Sequence, residues 1–161
     1  MKKAVIFSLL IIKLTSVFAQ TDTLNHQHLR YITPYESVIY PGMAGKGYTV
    51  STYFKFLPEE DIQIKTVQKN GFVFDLDSVV LNKGKWYILL VKEYFTAKHG
   101  SMEPELEILQ YGRYPLINVK NPYPSKQSCN KCLLVEFKDI KQNVPNFLSF
   151  ENLQRYSLHA P

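Results

Sequence analysis

The chain has 161 residues, 19 Lys and Arg against 14 Asp and Glu, a net charge of +5, and is 45% hydrophobic. So much apolar material, with 11 Tyr, 10 Phe and one Trp, excludes a disordered chain and suits one folded domain. Two cysteines are too few for a disulfide framework, and a core of this size needs none.

Residues 1–19 read as a secretory signal peptide. Lys2 and Lys3 form a charged start, Ala4 to Ile12 an apolar run broken by Lys13, and Val17-Phe18-Ala19 a small-residue exit. That run is too short to cross ~30 Å of hydrocarbon. Without Lys2, Lys3 and Lys13 the net charge falls from +5 to +2, and the remaining Lys and Glu are interspersed. A binder of phosphate backbones needs clustered surplus charge, so nucleic acid is excluded as an expected partner. The expected location is periplasmic or secreted, with no membrane-spanning segment once the signal is removed.

Residues 20–40 read as a polar N-terminal arm, with a short strand at Glu36 to Tyr40. Pro41 to Gly47 is a turn-rich break. Tyr48 to Leu57 is dense in Tyr, Thr, Val and Phe and predicts the first substantial strand, closed by Pro58-Glu59-Glu60-Asp61. Ile62 and Ile64 alternate with polar residues, and Phe72, Phe74 and Leu76 do so again. Asn70-Gly71 between them suits the positive φ angles of a type I′ turn, so residues 62–80 read as one hairpin. After a turn at Asn82-Lys83-Gly84, Lys85 to Phe95 is apolar on both faces and predicts a central strand. Leu106 and Ile108 alternate with Glu105 and Glu107 in a half-exposed strand ending near Tyr111. Leu116 to Val119 reads as a short continuation, and Leu133, Val135 and Phe137 as another strand. In the C-terminal tail, 142–161, the residues after Pro145 fit one or two helical turns or an extended chain equally well.

Short strands at regular spacing with almost no helical periodicity predict an all-β fold. The expected architecture is an antiparallel β-sandwich over 41–141, immunoglobulin-like on strand count, with a small closed β-barrel as the alternative.

Few groups of residues suggest chemistry. Cys129 and Cys132 are expected to form a disulfide after export, a short clip that restrains about 2 kcal/mol of chain entropy. A redox pair would need a helix after the cysteines, whereas Leu133 to Phe137 reads as a strand. The four His lack a second ligand pair at zinc spacing, so no metal or other cofactor is expected. Gly42 to Gly47 lacks the spacing and the Ser or Thr of a phosphate loop. Asp75 with Asp77, and Glu103, Glu105 and Glu107, share strand faces and read as solvated. His99, in a loop, is the one candidate for acid–base work. Tyr111, Tyr114 and Tyr123, beside the loop before the cysteines, are candidates for an exposed aromatic binding surface.

The Lys-Lys start, the Phe-Ala-Gln exit and the Pro-Gly-x-x-Gly turn before an aromatic strand, from Pro41 to about Phe95, resemble small secreted β-rich proteins of Bacteroidota. That resemblance implies an envelope or extracellular location and a β-sandwich, and assigns no site. The expected function is a non-catalytic binding or structural module of the envelope, whose partner is an envelope or extracellular protein or glycan. Alternatives are a small hydrolase using His99 and a carrier of an apolar ligand.

Overall fold

The computed structural model describes residues 23–41, 47–96, 100–101, 104–113, 115–125 and 132–159. The chain runs through β1 (Thr23–His26), β2 (Leu29–Ile32), β3 (Tyr35–Tyr40), β4 (Tyr48–Pro58) and β5 (Ile62–Lys69). It continues through β6 (Phe72–Leu81), β7 (Tyr87–Thr96), β8 (Gly100–Ser101), β9 (Glu105–Gln110) and β10 (Pro115–Val119). Last come β11 (Tyr123–Pro124), β12 (Leu133–Asp139), β13 (Pro145–Phe150) and β14 (Gln154–His159), with no helix among the described residues.

The strands form two sheets. In the larger, β4 pairs antiparallel with β7 from Tyr48↔Phe95 to Phe56↔Tyr87, and β9 and β10 extend the sheet beyond β7. The other side of β4 is edged by two strands lying end to end: β2 against Phe56–Pro58 and β3 against Thr49–Tyr53. Pro34 lies between them, and a residue without an N–H interrupts a ladder. Outside β2 lies β1, and outside β3 lies β14, the latter in parallel. The smaller sheet has the order β11-β6-β5-β12-β13.

Alternation decides which side chains meet between the sheets. Leu29, Phe54, Phe56, Leu89, Val91, Leu106 and Ile108 come from the larger sheet. Ile62, Ile64, Val67, Phe74, Leu76, Leu133, Val135 and Phe137 come from the smaller, and all join one buried cluster. Tyr87 is fully buried there, and its hydroxyl accepts a hydrogen bond from the Asn82 backbone N–H at 3.0 Å. A buried tyrosine with its polar end paired keeps its apolar contribution without a desolvation cost.

The architecture is all-β and sandwich-like, and the sheets do not close into a barrel. The expected hairpin spans β5 and β6, with Asn70 at φ 48° and Gly71 at φ 85° as the type I′ pairing requires. The expected strand at Glu36 to Tyr40 lies within β3, while the rest of the arm is corrected: residues 23–32 carry β1 and β2. Of the two readings of the tail, the extended one holds, and it contributes β13 and β14. The sheets therefore take in strands on both sides of 41–141. Parallel pairing of β14 with β3, more than a hundred residues away, leaves no local pattern to read.

Candidate functional site

Of the candidates from the sequence, His99, Tyr114, Cys129 and Glu103 lie outside the described residues, as does the turn 42–46. Cys132 is buried just before β12. Asp75 is exposed on β6. Glu105 and Glu107 on β9 are joined to Lys120 at 3.6 Å and Lys92 at 3.0 Å. Tyr111 is 66% exposed and Tyr123 50%. The structure does not unite these two: Tyr111 follows β9 on the larger sheet, and Tyr123 opens β11 on the smaller.

Tyr111 instead belongs to an aromatic strip on the outer face of the larger sheet. Glu36, Phe54 and Tyr87 point inward, so their chain neighbours Tyr35, Tyr53, Lys55 and Trp86 point out. The Lys55 ammonium lies 4.7 Å from the Tyr111 ring centre and 5.1 Å from that of Trp86. Those are cation–π contacts that hold both rings in place. Two residues earlier on β4, Tyr53 stacks on Tyr35 of β3, with ring centres 5.2 Å apart and planes 18° apart. Tyr156 of β14 meets Tyr35 edge to face at 5.7 Å. Three adjacent strands thus place Tyr156, Tyr35 and Tyr53 side by side, and Lys55 links them towards Trp86 and Tyr111. Exposed Ile39 and Leu158 flank the β3–β14 end. Burial raises the Tyr35 hydroxyl above its ordinary pKa, helped by Tyr53 and Tyr156, so it stays a neutral donor.

Directly beneath that end, the sheet's inner face is charged. Lys69, the last residue of β5, is fully buried and donates to Glu36 at 2.6 Å and to Asn70 at 3.1 Å. Arg155 of β14 donates to the other Glu36 oxygen at 2.7 Å. Asn70 in turn donates to both carboxylate oxygens of Glu93 on β7, at 2.9 and 3.0 Å. Burial alone would push the Glu36 carboxyl up, but Lys69 and Arg155 outweigh it and hold it below its ordinary value. At Glu93 burial wins over Asn70 and Lys69, and its carboxyl is raised. One cluster therefore ties the tip of the β5–β6 hairpin to the opposite sheet and pins β14, which carries Tyr156. Thr52, paired with Glu36 across β3 and β4, is buried, and among the described residues its hydroxyl has no hydrogen-bond partner.

Elsewhere the chemistry is sparse. Buried His28 lies 3.6 Å from Asp139, whose carboxylate also accepts the backbone N–H groups of Gln142 and Lys141. Those N–H groups, Gln142 first, hold the Asp139 carboxyl below its ordinary value. This arrangement caps the β12–β13 turn and anchors the β1–β2 turn beside it. An open surface groove of about 370 Å³ is lined by Gln27, Arg30, Leu57, Pro58, Glu59, Glu60, Lys83 and Gly84. Arg30 and Glu59 already pair across it at 2.9 Å. No group of three or more His, Cys, Asp or Glu among the described residues is arranged to hold a metal ion.

Sequence reading missed Tyr35, Tyr53 and Tyr156 because only strand pairing brings them together. Glu36, Lys69 and Glu93 were missed because charged residues on a strand normally mark its wet face. No protein-family model, curated protein or solved structure matches this chain.

Proposed function

We propose that this chain is a non-catalytic binding module of the cell envelope, exported by residues 1–19. We propose that it takes a protein or glycan partner on the outer face of its larger sheet. One observation carries the reading: Tyr156, Tyr35, Tyr53, Trp86 and Tyr111 share one face across the sheet, while the titratable cluster below is buried against the opposite side. Rigid aromatic side chains on a sheet offer large contact area at little entropic cost on binding. In this reading Cys129 and Cys132 close a disulfide in the oxidising compartment. The immunoglobulin-like form of the sandwich stays with the proposal on strand count alone.

The filled interior favours this over an apolar-ligand carrier. Side chains from both sheets meet in one buried cluster, and the groove lies outside it, lined mainly by polar residues. The test is saturable binding of the purified protein to an isolated envelope fraction. Tyr35→Ser combined with Tyr111→Ser should abolish it. Phe147→Ser, on exposed β13 of the other sheet, should leave it intact. Equal binding by all three proteins, or turnover of a substrate by the pure protein, contradicts the proposal.

A further inference from the structure

We infer that two copies of this chain join through β14, edge to edge and antiparallel, about a two-fold axis at Tyr156 normal to the sheet. Among the described residues β14 pairs with β3 alone, so the backbone groups on its other side lack a strand partner. Such an edge is a template for a further strand, and proteins ordinarily blunt it with Pro, Lys, a bulge, shortness or an inward-pointing charge. The other edges follow that practice. β10 opens with Pro115 and shifts register after it, β13 opens with Pro145, β11 is two residues long and ends in Pro124, and β1 has four residues. β14 has six residues, Gln-Arg-Tyr-Ser-Leu-His, with no Pro, no Lys and no register shift against β3. Its one full charge, Arg155, points inward, but Glu36 pairs with it at 2.7 Å, so it offers an incoming strand little uncompensated charge to bury. On the outer face Tyr156 is 49% and Leu158 58% exposed.

The pattern of side chains selects a second copy as occupant. With the axis at Tyr156, Tyr156 faces its own counterpart, Gln154 faces Leu158, and Arg155 faces Ser157. Directly opposed residues then lie on the same face, an aromatic pair sits at the centre, and neither Arg meets the other. A two-fold contact also uses up both open edges and closes, whereas a head-to-tail contact would propagate. The outer faces join across the axis, so Tyr53, Tyr35 and Tyr156 continue into the same three residues of the second copy. This contact stands on the β14 edge and does not depend on what the aromatic strip binds.

Sedimentation equilibrium on the protein as purified from cells expressing it in full tests the contact. Wild type should sediment as a dimer. Tyr156→Lys sets two ammonium groups against each other and should weaken the dimer at least about tenfold, roughly 1.4 kcal/mol, with an unchanged circular dichroism spectrum. Leu158→Lys, at an exposed position outside the tyrosine stack, should weaken it in the same direction and serves if Tyr156→Lys fails to fold. Tyr156→Cys should give a covalent dimer on mild oxidation. A monomer at every concentration, a dimer indifferent to both lysine variants, or open-ended polymers overturns the proposal.

Discussion

Lys69 and Glu36 meet at 2.6 Å with neither side chain reaching solvent, although one belongs to the smaller sheet and the other to the larger. Removing two charges from water costs several kcal/mol per ion, recovered only when geometry and further hydrogen bonds are good. Here Arg155 and Asn70 supply those bonds. Lys69→Met should leave Glu36 with only half-exposed Arg155 and cost about 3 kcal/mol or more in urea unfolding. The double variant Lys69→Met with Glu36→Met should recover most of that loss. Equal stability of wild type and Lys69→Met would show that the pair is not closed in solution.

The two buried carboxyls should pull stability in opposite directions with pH. Glu93 is raised above its ordinary 4.5, so the folded state keeps its proton where the unfolded state has released it. Its contribution is fully present below 4.5 and is lost as pH rises through the raised value. Glu36 is lowered, so its contribution is present above 4.5 and lost as pH falls through the depressed value. Glu93→Gln keeps an oxygen for Asn70 without the charge. It should raise the melting temperature relative to wild type at neutral pH, and that gain should shrink in acid. A gain that grows as pH falls contradicts the assignment.

Thr52 offers a simpler test of the same interior. Its hydroxyl is buried with no hydrogen-bond partner among the described residues, and an unpaired buried polar group costs about 1–3 kcal/mol. Thr52→Val has nearly the same shape and should stabilise the fold by about 1 kcal/mol in denaturant titration. Destabilisation of that size would mean the hydroxyl is satisfied.

Two glycines with similar backbone angles should respond differently to a methyl group. Gly71, at φ 85° in the hairpin turn, has open space around it, so Gly71→Ala meets only the left-handed strain of about 1–2 kcal/mol. Gly47, at φ 82° before β4, would place its new carbon 1.8 Å from the Phe95 carbonyl oxygen. Gly47→Ala should therefore unfold at clearly lower denaturant than Gly71→Ala. Matching midpoints would contradict the close approach.

The legible parts of this fold are those where local alternation and tertiary burial agree. Ile62, Ile64, Phe74 and Leu76 announced their hairpin, and Asn70-Gly71 its turn, because the pattern is local. β14 was illegible because every described side chain from Gln154 to Leu158 is exposed, which erases the period-two signal. β1 and β2 were hidden by polar residues, and although β3 was read at Glu36 to Tyr40, the burial of Glu36 was not, since Lys69 and Arg155 arrive from distant segments. Tyr111 was recognisable as a binding candidate. Its neighbours on the strip were not, since Tyr35, Tyr53 and Tyr156 are joined by strand register and not by spacing along the chain.

The proposed binding surface is tested most directly by hydroxyl-radical footprinting of the chain, free and mixed with the envelope fraction. Protection should fall on Tyr35, Trp86, Tyr111 and Tyr156, while Tyr123 and Phe147 on the other sheet stay as reactive as before. Protection of Tyr123 and Phe147 with none along the strip would contradict the account.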